Sequence, residues 1–288
     1  MNKVAIVTDS TASIPEELIK EYGIQRVPLL LHMDGKTYKD RIDVKTPDEL
    51  FQLMKKSSKF PTTSTPPPGE YAEVYRQLSR KVDNILAVTI SSELSASFKS
   101  AIQAREMLKS ELPDINMQVF DSRTSVGALG LMVLAAARAA ASGQDMEAVV
   151  NVAEDIRAKV DMLCVFDTLS YLVRSGRLSK AKGLAGSMIS MKPISGISTS
   201  LGRPLVVARP RTKKKALQVL LEMVKQRVGT TSPVHIMVEH TCVPEEAEGL
   251  EQIVLDQFNC AEVLLCEYSP LSSLIVGPGL LGLDFYQG

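Results

Sequence analysis

Few residues suited to proton transfer or metal binding occur in this sequence. There are three histidines in 288 residues. No motif surrounds His32, His235 or His240 to orient an imidazole, so each reads as a strand-end residue rather than a catalyst. Four cysteines (Cys164, Cys242, Cys260 and Cys266) lie in the second half without a C-x-x-C spacing. That spacing excludes the common zinc sites and reads as reduced thiols in a reducing compartment. Charge of either sign is not in excess, with 33 Lys plus Arg against 33 Asp plus Glu. A zero balance excludes global steering toward nucleic acid or acidic membranes. No uncharged apolar run approaches roughly 18 residues, so no membrane span is expected. The first apolar run, 4–7, is too short for a signal peptide, which makes the cytoplasm the expected location.

Several nucleotide and hydrolase signatures are also missing. There is no G-x-S-x-G, no H-E-x-x-H and no complete phosphate-binding loop. Gly35-Lys36-Thr37 resembles the end of such a loop, but Leu30 stands where its first glycine is required. Gly277-Pro278-Gly279-Leu280-Leu281-Gly282 matches G-x-G-x-x-G but lacks the βαβ unit and distal acid of a dinucleotide fingerprint. These glycines read instead as a tight loop that brings backbone close to a neighbour.

What is present supports a full core: 45% hydrophobic and 23% charged residues. Length suggests two domains, 1–160 and 161–288, with no Gly/Ser linker between them. Short apolar strands alternate with helices. Strands are expected at 3–8, 26–33, 84–90, 116–120, 162–166, 205–208, 235–239 and 262–266. Helices are expected from a Ser13-Ile14-Pro15-Glu16 capping box to about Tyr22, and at 47–56 behind Thr46 as N-cap. Further helices are expected at 70–81, up to about Ser110, and at 126–141, 146–159, 169–174, 180–191, 213–227 and 245–258. Asp34-Gly35 reads as a turn, and the four prolines of 60–69 forbid helix and disfavour a central strand. The pattern predicts an α/β fold with a mostly parallel sheet covered on both faces.

Hydroxyls cluster where strands end: Thr8/Ser10/Thr11, Thr62/Thr63/Ser64/Thr65, Ser91/Ser92/Ser95 and Ser122/Thr124/Ser125. In a parallel sheet the carboxyl ends of the strands share one edge, where ligands bind. N-capping accounts for part of these clusters; convergence on a small anion, carboxylate or phosphate accounts for their density. Met188, Met191, Ile189, Leu184, Ile194 and Ile197 form a soft apolar stretch around Gly183, Gly186 and Gly196. Such a stretch suits either core or a flexible apolar ligand. Arg203, Arg209, Arg211, Lys213, Lys214 and Lys215 form a basic cluster, read as a solvated face or as a contact for an acidic group.

Taken in order, these pieces resemble the DegV family. The resemblance rests on Thr8-Asp9-Ser10-Thr11, Thr63-Ser64 before proline, Ser91-Ser92-Glu93-Leu94-Ser95, and Tyr171-Leu172 with Ser175-Gly176-Arg177. It rests also on Lys192-Pro193-Ile194, Arg209 with Arg211, and Gly277-Pro278-Gly279. It implies an N-terminal parallel-sheet domain, a second α/β domain, and a tunnel between them holding a long-chain fatty acid such as palmitate. By the same resemblance Thr63 and Ser95 hold the carboxylate, with Ser64, Ser92, Gly277 and Gly279 in the surrounding motifs. Arg211 matches an arginine that supports presentation of the acid to a separate fatty acid kinase subunit. The resemblance implies no catalysis, cofactor or metal in the chain itself. The sequence departs from the family where a Thr-His pair commonly precedes the last Gly-Pro-Gly; Leu274 and Ile275 stand there. Two rival readings remain at this level. One is a phosphate-handling enzyme using Asp9 or Asp121 as base; the other is a regulatory or scaffold protein with incidental lipid.

Overall fold

The structure is a computed structural model that describes residues 3–176 and 191–288. The helix expected at 180–191 lies outside the described residues except for Met191, as do Arg177, Gly183, Leu184, Gly186, Met188 and Ile189.

Strand β1 (Val4–Asp9) leads to helix α1 (Glu16–Glu21). Ser13 does not cap this helix; Pro15 occupies the N-cap, and no side chain closes it. The Ser13 backbone N–H is drawn instead to the Val126 carbonyl, 3.2 Å away. The single strand expected at 26–33 is two strands, β2 (Gln25–Val27) and β3 (Leu30–Met33). Pro28 stands between them and has no N–H for a ladder, so the chain leaves one sheet and enters another. Asp34 and Gly35, both at positive φ, make the tight hairpin turn to β4 (Lys36–Lys39).

Helix α2 (Pro47–Lys56) starts where Thr46 Oγ1 accepts the Glu49 N–H at 3.2 Å. The proline cluster contains one short strand, β5 (Thr62–Ser64), at a sheet edge, where prolines are tolerated. Helix α3 (Pro68–Ser79), β6 (Asn84–Thr89), α4 (Ser97–Leu108) and β7 (Asn116–Asp121) follow. The helices α5 (Val126–Ala141) and α6 (Met146–Lys159) have the expected bounds.

Then come β8 (Asp161–Val165), α7 (Ser170–Arg174), β9 (Ile194–Ser198) and β10 (Arg203–Ala208). Next are α8 (Lys213–Val228), β11 (Val234–His240), α9 (Pro244–Gln257) and β12 (Cys260–Glu267). Helix α10 (Pro270–Val276) and β13 (Leu281–Gln287) complete the order. The sequence predicts no strand at β4, β5, β9 or β13 and no helix at α10: Ile194 and Ile197 read equally well as a soft apolar stretch, and the glycine loop obscures its flanks.

Among the described residues the strands form three sheets. One is four-stranded and all parallel, in the order β2-β1-β6-β7. One is six-stranded and mixed, in the order β10-β9-β8-β13-β11-β12. The third is a three-stranded antiparallel sheet, β4-β3-β5. Helix α5 touches the first two and is buried on nearly every side, as expected of a helix apolar all round. Gly130 permits this: a Cβ there would sit 1.9 Å from the Ser13 carbonyl oxygen.

The period of two divides the six-stranded sheet between two cores. Leu163, Val165, Ile236, Val238, Leu283 and Phe285 pack with α8 and α9 on the outer face. Met162, Cys164, Met237 and Tyr286 pack on the inner face in the core that contains α5. Among the described residues no helix is long and apolar enough to cross a membrane.

Candidate functional site

A cavity of about 350 Å³ lies where the carboxyl ends of the parallel sheet meet the inner face of the six-stranded sheet. From the parallel sheet come residues just past strand ends: Thr11 after β1, Ile90 after β6, Ser95 before α4, and Ser125 and Val126 at the start of α5. The edge strand β5 adds Thr63 and Ser64. The six-stranded sheet contributes a face rather than an edge. Met162, Cys164 and Phe166 repeat every second residue along and just past β8, beside Gly196 and Ile197 of β9. Leu271, Ser272, Ile275 and Val276 present one side of α10. None of the described residues that border the cavity carries a formal charge.

The predicted residues divide. Thr63, Ser64 and Ser95 come together at the cavity. Ser95 Oγ also accepts the Ser97 N–H at 3.2 Å, so it closes the turn into α4 as well. Ser92 is not brought there: its Oγ donates to Asp121 at 2.5 Å. Arg211 is exposed between β10 and α8 and is not among the described residues that border the cavity. Gly277 and Gly279, both at positive φ, let the loop approach protein rather than the cavity. A Cβ on Gly277 would lie 2.5 Å from the Tyr171 ring, and one on Gly279 would lie 2.8 Å from Asp167 Cβ. Ile275 lines the cavity with an apolar side chain.

The carboxylates that a phosphate-handling enzyme would need are already committed. Asp9 is fully buried and accepts from Thr11 N–H, Thr11 Oγ1 and Ile90 N–H. Burial pushes its pKa up, against the lowering effect of those hydrogen bonds. Asp121 accepts from Ser92 and from the Arg123 N–H at 3.0 Å. Both are turn-closing groups.

Three polar features escaped the sequence reading. First, Asp40 is buried just beyond β4, accepting Ser10 Oγ at 2.7 Å and the Leu271 N–H at 2.9 Å. Burial raises its pKa, and the adjacent Arg41 opposes the rise. Arg41 Nε donates to the Ser10 carbonyl at 3.2 Å and Nη2 to the Glu267 carbonyl at 3.4 Å. Together these bonds seat α10 against the cavity. Second, Glu239 and Asp284 meet on the inner face of the six-stranded sheet, 0% and 1% exposed. Their oxygens accept the Gly127 and Ala128 N–H groups at 3.0 Å each, at the start of α5. Burial raises both pKa values, and the charge of Glu239 raises that of Asp284 further. The legible signal was an acid inside each of two apolar strands, Val-Glu-His and Leu-Asp-Phe.

Third, His32 is oriented after all: Nδ1 lies 2.9 Å from Thr37 Oγ1 and Nε2 lies 2.8 Å from Ser64 Oγ. His235 stacks on Tyr286 with ring centroids 4.6 Å apart, and His240 is buried with its pKa lowered by that burial.

Fold and cavity define a mixed α/β protein with a cavity between a parallel sheet and a mixed one, and the described residues lining that cavity are uncharged and mainly apolar. The chain belongs to the DegV family: residues 3–288 match the family model described as "uncharacterised protein, DegV family". A DegV domain-containing protein of Caldanaerobacter subterraneus is 37% identical over 287 residues, 100% of each chain. A DegV family protein from Thermus thermophilus, reported for its fatty acid binding, superposes with a TM-score of 0.91. That pair shares 29% identity over 99% of this chain and 100% of the other. DegV from Bacillus subtilis, a fatty acid binding protein, superposes with a TM-score of 0.88 at 29% identity, covering 100% of both chains.

Proposed function

We propose that this protein binds a long-chain fatty acid in the cavity and leaves it chemically unchanged. The acyl chain lies against Met162, Cys164, Phe166, Ile197 and the inner side of α10, and the carboxylate meets Thr63 and Ser95. The observation that carries this reading is an apolar cavity of about 350 Å³ whose described lining has hydroxyls but no charged side chain. The fatty acid binding reported for the Thermus thermophilus and Bacillus subtilis relatives supports it. In this reading residues 1–160 and 161–288 form two domains that close on the ligand in the cytoplasm.

Burial of about fourteen methylenes at roughly 0.8 kcal/mol each gives a gross gain on the order of 11 kcal/mol. Association and ordering remove a large part of that. Two hydroxyl hydrogen bonds to a charged acceptor add about 1.5–3 kcal/mol each. The tail therefore sets affinity and the head group sets orientation.

The finer reading adds a partner, a separate kinase that receives the presented carboxylate. Exposure of Arg211 beside the basic start of α8 supports a contact there with an acidic or phosphorylated surface. Native mass spectrometry of protein purified from bacterial cells tests the central proposal. A co-purified mass matching a sixteen- or eighteen-carbon acid is expected; a protein that is empty and takes up no added palmitate overturns it.

A further inference from the structure

The hydrogen bonds of His32 have no part in the reading above. His32 stands in the middle strand of the three-stranded sheet, opposite Thr37 of β4 on one side and Thr62 of β5 on the other. Ser64 is the diagonal neighbour on the same face, within reach of a long side chain. Thr37 Oγ1 and Ser64 Oγ hold the two ring nitrogens at 2.9 and 2.8 Å. A neutral imidazole has one N–H and one bare nitrogen, so one hydroxyl donates to the ring and the other accepts from it.

Strand β5 depends on this hold. It is three residues long, pairs among the described residues with β3 alone, and is followed at Pro66 by residues that offer no N–H. Thr63 and Ser64 both border the cavity, yet a pleated strand sends successive side chains to opposite faces. Thr63 is paired with buried Leu31, and Ser64 with half-buried Leu30. A bond that grips Ser64 from one face therefore sets the roll of the strand and the aim of Thr63 on the other.

We propose that His32 is a positioning residue for the acid head group. By gripping Ser64 it fixes the edge strand so that Thr63 meets a carboxylate, and the preference of the cavity for an acid over an uncharged head of the same length depends on it. The inference rests on the fatty-acid reading above.

Displacement of a fluorescent fatty acid from the full chain, by palmitate and separately by methyl palmitate, gives an acid-to-ester affinity ratio. His32→Phe is expected to lower that ratio about tenfold, the loss of one oriented hydrogen bond to a charged acceptor. His32→Gln, whose amide can donate to Ser64, restores most of it. Ser64→Ala, at an exposed position, reproduces the His32→Phe effect, and the double variant is no worse than either single one. An unchanged ratio in His32→Phe overturns the proposal; so does an equal weakening of acid and ester, the signature of a merely structural role. Failure of the underlying reading looks different, because the wild-type protein then displaces the probe with neither compound.

Discussion

The parallel sheet and the six-stranded sheet reach the same cavity by different geometry. The parallel sheet offers strand ends. Its residues at the cavity sit in turns, beyond the reach of side-chain alternation, and many are hydroxyls. The mixed sheet offers a face, on which every second residue of β8 points inward and the intervening ones pack behind. Strand ends expose backbone N–H groups and short polar side chains, which suit a charged head group. A sheet face exposes a continuous apolar surface, which suits a tail. On the proposed reading, recognition falls to hydroxyls at strand ends and on an edge strand and affinity to the sheet face, so the two can be broken separately.

The largest effect is expected from the face. Ile197→Trp places a bulky ring at the cavity wall. Excluding about four methylenes at ~0.8 kcal/mol each costs on the order of 100-fold in affinity. Calorimetric titration with palmitate, with circular dichroism to confirm folding, checks it. The hydroxyls should matter less: Thr63→Val on the edge strand β5 and Ser95→Ala beyond the end of β6 each weaken palmitate binding about tenfold. If the hydroxyl variants abolish binding while Ile197→Trp leaves it intact, the division of labour between the sheets is wrong.

A third test concerns the junction of the two sheets. Glu239 and Asp284 have raised pKa values in the folded chain and ordinary ones when unfolded. The folded state therefore holds more protons, and stability falls as pH rises from the ordinary carboxylate range through the raised values. Asp9 and Asp40 are raised as well and act with the same sign. Asp284→Asn keeps an acceptor for the Ala128 N–H and supplies a donor to Glu239 without a titrating proton. Urea midpoints at pH 5 and pH 8 should therefore lie closer together in Asp284→Asn than in the wild type; an unchanged separation would discount the pair. The smallest effect is expected at Arg211, which is exposed and does not border the cavity. Arg211→Ala should leave palmitate affinity within about twofold, as surface changes away from a site commonly do. A larger loss in the same titration would bring the basic start of α8 into the site.

Much of the fold was legible because its signals are local. Thr46 before Pro47, Asp145 before Met146 and Thr212 before Lys213 mark three helix starts, and each side chain accepts a backbone N–H as its type predicts. The same logic was available for α10, where Ser269 precedes Pro270, but the glycine loop beyond it drew the reading away. Hydroxyls at strand ends were visible as a set. Which of them face the cavity was not, because Ser92 and Ser95 differ only in the partners that the folded chain brings to them.

The sequence by itself determined most of the elements, their alternation and the position of the hydroxyls, since capping, proline and periodicity act within a few residues. Only the tertiary structure decided that His32 grips Ser64, that Asp40 seats α10, and that Glu239 and Asp284 share a site at the start of α5. Each of those contacts joins distant parts of the chain, and buried polar groups and acids are tolerated only where the fold supplies a partner.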